Sequence, residues 1–229
     1  MNGKPAPLNS HDEPVVTPST NALSILRQFA RKRLPAEHCE MCSVALADAH
    51  PHLVELSARR LICACDACAL LFDNSANRRY KRVPRRVQLL QSFHMTDAQW
   101  DGLLIPINMA FFFSSSVEGK VAAFYPSPAG AVQSLLSLAA WNDIVSDNSA
   151  LRDMEADVEA LLVNRVGYAR DAAKAEYFIA PMDECYRLVG LIRSNWRGLS
   201  GGTEVWEKIG NFFGELRQRA FVVTEETHA

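Results

Sequence analysis

Several things are scarce in this 229-residue chain, and each absence narrows its function. No apolar run approaches the roughly 20 residues a membrane-spanning helix needs. Residues 1–22 lack the basic start and apolar core of an export leader, so the sequence predicts a cytoplasmic protein. Histidine is sparse: only His94 and His228 lie downstream of residue 75. Cys185, in PMDECYRL, therefore has no histidine close in sequence to serve as its base, which leaves acyl transfer with little support. Asp183 and Glu184 beside it also oppose thiolate formation, so Cys185 reads as a packed core residue and Asp183 as a helix cap. The adjacent glycines of RGLSGGTE do not have phosphate-loop spacing.

What remains is an ordinary globular composition, 48% hydrophobic and 22% charged, sufficient for a core without disulfides. The net charge of −2 is unevenly spread: residues 1–100 carry +4 and residues 101–229 carry −6. Residues 1–20 are rich in proline and polar side chains and read as a disordered tail. An amphipathic helix is expected within 21–36, closed by Pro35, then a cysteine-rich zinc-binding module at 37–76 and a basic linker at 77–105. An α+β domain fills 106–220, and 221–229 form a loose tail.

Within 106–220 a pattern occurs twice. INMAFFF, a turn, VAAFYP and a helix through AGAVQSLLSLAAW form one copy; EALLVNR, a turn, AEYFIAP and a helix through DECYRLVGLIRSNW form the other. Pro126 and Pro181 each precede a tryptophan, Trp141 or Trp196, by the same interval. Two ββα units predict a four-stranded, mainly antiparallel sheet with helices on one face. Ser127 is placed to cap the first of those helices. A last helix over 203–219 turns Val205, Trp206, Ile209, Phe212, Phe213 and Leu216 inward. Glu159, Asn164 and Arg165 lie on or beside a predicted strand, as site residues or solvent-facing ones.

The chemistry-bearing residues are cysteines. Cys39/Cys42 and Cys65/Cys68 are two CxxC pairs, separated by strand-like HPHLVEL and SARRLICAC. A two-residue spacer lets a tight turn aim both sulfurs at one point. A hairpin that brings the two turns together closes a four-sulfur tetrahedron suited to zinc (Zn2+), in a zinc-ribbon or treble-clef-like shape. Cys63 is left over, as an alternative ligand to Cys65, a spare thiol of an iron–sulfur or exchangeable metal site, or a buried bystander. His38, His50 and His52 read as surface residues or as residues that support a ligand rather than bind the metal. The stretch RRYKRVPRR supplies Arg78, Arg79, Lys81, Arg82, Arg85 and Arg86, which fit a nucleic-acid-binding zinc protein or a degenerate His-Asn-His nuclease. AHPHLVEL lacks the Asp-His pair that such catalysis needs.

Taken together, CEMC, CACDACALLFD, IPINMAFFF, AFYPSPAGA, DVEALLVNR, DECYRLVGLIRSNWRGLSGG and EVWEKIGNFF resemble an uncharacterised bacterial family associated with nickel–iron hydrogenase gene neighbourhoods. The resemblance covers about 25–219 and implies an accessory role in hydrogenase maturation or electron transfer, with a hydrogenase subunit or maturation factor as partner. It carries over no catalytic residues. The leading expectation is a non-enzymatic, zinc-binding adaptor. The nucleic-acid binder and a rubredoxin-like or iron–sulfur redox protein are the alternatives.

Overall fold

The computed structural model describes residues 37–73, 79–134, 139–167 and 175–224. The expected tail at 1–20 and helix at 21–36 lie outside the described residues.

Two sheets organise the chain. The smaller is antiparallel throughout, with β1 (His52–Glu55) between β2 (Arg60–Cys63) and β3 (Tyr80–Arg82). The turn at 56–59 fixes the hairpin register, so that Glu55 opposes Arg60 and His52 opposes Cys63. Strand alternation then gives the sheet two different faces. Leu53 and Ile62 pack with Cys39, Ala64, Cys68 and Ala69 on one side; Val54 packs with Val83 and Val158 on the other. Helix α1 (Asp66–Phe72) follows β2 directly.

The larger sheet holds β4 (Gln88–Leu90), β5 (Met109–Ser115), β6 (Lys120–Ser127), β7 (Gly130–Gln133), β8 (Glu159–Asn164), β9 (Glu176–Pro181) and β10 (Phe221–Val223). Its order is β10-β4-β9-β8-β5-β6-β7, and only the β10–β4 pair is parallel. Helices α2 (Asp97–Gly102) and α3 (Ala139–Asp147) follow β4 and β7, and α4 (Met182–Asn195) and α5 (Gly202–Arg219) follow β9.

The α+β class is as expected, but the sheet has seven strands rather than four, and both of its faces are covered. Phe111, Phe113, Leu162 and Phe178 meet Leu188, Ile192, Ile209 and Phe213 of α4 and α5 on one face. Phe112, Leu161 and Ile179 meet Trp100, Trp141, Ile144 and Leu151 on the other. That is why MAFFF and EALLV read as continuous apolar runs: both sides of these strands face packed layers.

The extra strands come from segments read differently in the sequence. The first copy does not pass straight from β6 to a helix, because Gly130 adopts φ +126° and the chain turns back as β7. Ser127 closes that turn rather than capping a helix: its hydroxyl donates to Gly130 O (2.9 Å) and accepts from Ala129 N–H (3.1 Å). The segment read as a basic linker contains β3 and β4, and residues 221–223 of the tail pair with β4. Trp206 is 41% exposed, with its indole donating to Ser200 O, whereas Val205, Ile209, Phe212, Phe213 and Leu216 are buried as expected.

The smaller sheet sits against the larger through the Val54–Val83–Val158 cluster and a ring of polar ties. Arg59 pairs with Glu118, and Lys81 bonds Ala156 O (2.7 Å) and Glu155 (3.1 Å). No described helix is long and apolar enough to cross a membrane.

Candidate metal centre

Cys39 and Cys42 lie in a tight turn in which Ser43 N–H bonds Cys39 O (2.7 Å) and Cys39 N–H bonds Val44 O (2.8 Å). Ser43 takes positive φ (63°), which curls the chain back around the sulfurs. The second pair sits where β2 gives way to α1. Cys65 is the N-cap of that helix, its sulfur accepting from Cys68 N–H at 3.4 Å, so Cys68 falls one turn later on the same side. Glu40 ties the two parts together. Its backbone N–H donates to Cys63 O (2.9 Å), and its carboxylate accepts from Cys63 N–H (2.9 Å) and from Arg60 (2.7 Å).

The result brings four sulfurs to one point. Sγ of Cys39, Cys42, Cys65 and Cys68 all lie within 4.8 Å of one another, and the Cys42–Cys65 separation is 3.7 Å. A tetrahedral zinc with bonds of about 2.3 Å needs sulfur–sulfur edges of about 3.8 Å. The cluster can hold a metal ion by its spacing and its donor type. Cys39 and Cys68 are buried, while Cys42 is exposed.

Electrostatics separate the thiols. Burial pushes the Cys39 thiol up, but the backbone N–H groups of Cys65, Met41 and Cys42 outweigh it and bring it down to about 6. Burial, followed by the neighbouring thiols of Cys42, Cys65 and Cys39, pushes Cys68 up to about 12. Uncompensated thiolates this close repel one another, which is the arrangement a divalent cation neutralises.

Cys63 does not join that cluster. β2 ends at Cys63, and Cys65, two residues on, is already the N-cap of α1. Cys63 instead points with its cross-strand partner His52, and a ring nitrogen of His50, one of His52 and Cys63 Sγ lie within 4.8 Å of one another. Sequence reasoning missed this group, although the signal was present. HPH spacing sets His50 two residues before His52, the first residue of β1, and counting back from the 56–59 turn sets Cys63 opposite His52.

The other candidates have structural partners. Arg79 pairs with Glu55 (2.9 Å), Lys81 with Glu155, and Arg86 with Glu159 (2.7 Å), so these cations serve the chain's own carboxylates. Arg82 bonds Asp73 through its backbone N–H (3.1 Å), Arg85 is exposed, and Arg78 lies outside the described residues. Glu159 is fully buried on β8. Asn164 bonds Glu176 (3.0 Å), and Arg165 pairs with Asp97 beneath the Trp100 ring. Cys185 is packed in the core, its thiol driven well up by burial and then by Asp183 and Glu184. Asp183 does not cap its helix; Pro181 holds the N-cap position and the carboxylate turns to His52 (2.9 Å).

No curated protein and no solved structure matches the chain. Residues 38–220, from the edge of the first CxxC turn to the end of α5, match a family of unknown function, DUF5947. The match runs through both the thiol cluster and nearly all of the larger sheet, and the chain belongs to that family.

Proposed function

We propose that this chain is a non-enzymatic accessory protein whose thiolate cluster holds zinc as a closed structural staple. The observation that carries the reading is the convergence of four sulfurs, with Cys42 and Cys65 3.7 Å apart. Four thiolates fill a tetrahedral ion and leave no position for substrate, which is the arrangement of structural rather than catalytic zinc. Such an ion joins the 39–42 turn to the hairpin and to α1, three short pieces with little apolar area of their own. Metal affinity of this kind supplies folding free energy directly, about 10–16 kcal/mol in isolated zinc-finger peptides.

The adaptor role is the reading given to a stapled module docked on a larger sheet. A cytoplasmic setting suits free thiols. The proposed partner, a nickel–iron hydrogenase subunit or maturation factor, rests on the sequence resemblance alone.

Elemental analysis with an absorption spectrum, on protein purified without oxygen, tests the metal. Zinc in a colourless preparation is expected; iron with visible absorption would replace this reading with the redox one. Co-purification with hydrogenase components tests the partner, and their consistent absence from a tagged preparation would remove that part.

A further inference from the structure

The His50–His52–Cys63 group is separate from the four-thiolate cluster and faces the other way. Leu53 and Ile62 point towards the thiolates, whereas His52 and Cys63 share the face of Val54, towards the larger sheet. Its two rings are prepared alike. His50 Nδ1 bonds Ala47 O (2.9 Å), and His52 Nδ1 bonds Asp183 Oδ2 (2.9 Å). In each ring Nδ1–H donates to an oxygen, which leaves the Nε2 lone pair to bind an electrophile. Metal-ligating histidines are oriented by such outer partners, a backbone carbonyl or a carboxylate.

A second observation points to a ligand. The His50 side chain is only 6% exposed, yet its buried Nε2 makes no hydrogen bond. The exposed Glu37 carboxylate lies 3.5 Å away without hydrogen-bond geometry. A buried acceptor left without water or a protein donor is unfavourable, and a bound cation would satisfy it. Asp183 Oδ1, on the outer partner of His52, is likewise buried and unbonded. Glu40 bonds both the N–H and the C=O of Cys63, which fixes the backbone from which the thiol projects.

We propose that His50, His52 and Cys63 form a second metal site, for a borderline divalent cation of the zinc–cobalt–nickel class. Two imidazoles and one thiolate are the donor set such ions prefer over magnesium or calcium. A tetrahedral ion with these donors needs ligand edges of about 3.3–3.6 Å, and Cys63 Sγ and one ring nitrogen of each histidine lie within 4.8 Å of one another. Three protein ligands leave a fourth position open beside Glu37, so the site is exchangeable where the four-thiolate site is closed. Asp183 is a positioning residue that fixes the His52 ring.

The test uses the full chain carrying one zinc, which fills the four-thiolate site, titrated with Co2+ without oxygen. Wild type is expected to take up one equivalent, with visible ligand-field bands and thiolate-to-cobalt charge transfer. Cys63→Ser and His50→Gln should abolish that signal while retaining zinc. Asp183→Asn, which keeps all three ligands, should weaken Co2+ binding about 10–100-fold. Absence of Co2+ uptake by the zinc-loaded wild type, or uptake unchanged in both ligand variants, would overturn the proposal. A chain that retains no zinc but still binds Co2+ through Cys63 would support this site and refute the four-thiolate staple instead.

Discussion

Replacing Arg86 by methionine tests what the basic stretch is for. Arg86 makes a two-pronged contact with Glu159, Nε to Oε1 at 2.7 Å and a terminal nitrogen to Oε2 at 3.1 Å. Glu159 has no exposed side-chain surface, and its other bond comes from Glu155 N–H (2.9 Å). Arg86→Met therefore leaves a carboxylate on a buried central strand with one hydrogen bond. Breaking a buried pair from one side costs about 3–5 kcal/mol. Solvent lowers that figure: Arg86 is 48% exposed, so water partly replaces it. The expected destabilisation is about 2–4 kcal/mol, seen in urea as a midpoint lowered by about 1–2 M for a slope near 2 kcal/mol/M. Glu159→Gln should cost less, about 1 kcal/mol, because the freed guanidinium reaches solvent. The double variant should be more stable than Arg86→Met alone. An Arg86→Met protein within about 0.5 kcal/mol of wild type, or a Glu159→Gln more damaging than Arg86→Met, would refute the reasoning.

Other perturbations follow from the same packing. Gly201→Ala should cost about 1–3 kcal/mol in urea unfolding, since φ is +86° and a Cβ would meet Val205 Cγ1 at 2.8 Å and Trp196 Cε3 at 3.0 Å. Phe112→Ala should cost about 3–5 kcal/mol by the same assay, since the ring is fully buried and stacks on Trp141 at 5.3 Å. Stripping metal with a strong chelator should open residues 37–73 to limited proteolysis while α4 and α5 stay protected, read by mass spectrometry of the fragments. Cys68→Ser should do the same without chelator, and a resistant, metal-free module would count against the staple.

What the sequence revealed depended on how local each signal was. The two CxxC pairs were legible because a tight turn and a helix start each present two sulfurs within four residues. The core strands were legible as apolar runs, and α5 as a helical stripe. Trp206 was misplaced because it lies one residue, about 100°, from Val205, at the margin of that stripe. The sheet was undercounted because β4 and β10 are three residues each and pair across more than 130 positions, which no local pattern records. β7 turned on the φ of Gly130, invisible in a segment that otherwise has helical composition. The cations of RRYKRVPRR looked free because their carboxylates lie on other strands and loops. His50, His52 and Cys63 were within reach of sequence reasoning, through HPH spacing and hairpin register applied together.

Zinc-edge X-ray absorption on the Cys63→Ser chain tests the central claim most directly, because that variant keeps the four-thiolate cluster and disables the neighbouring group. The account predicts one zinc per chain with four sulfur neighbours at about 2.3 Å and no nitrogen in the first shell. A mixed nitrogen–sulfur shell, or a folded chain without zinc, would contradict it.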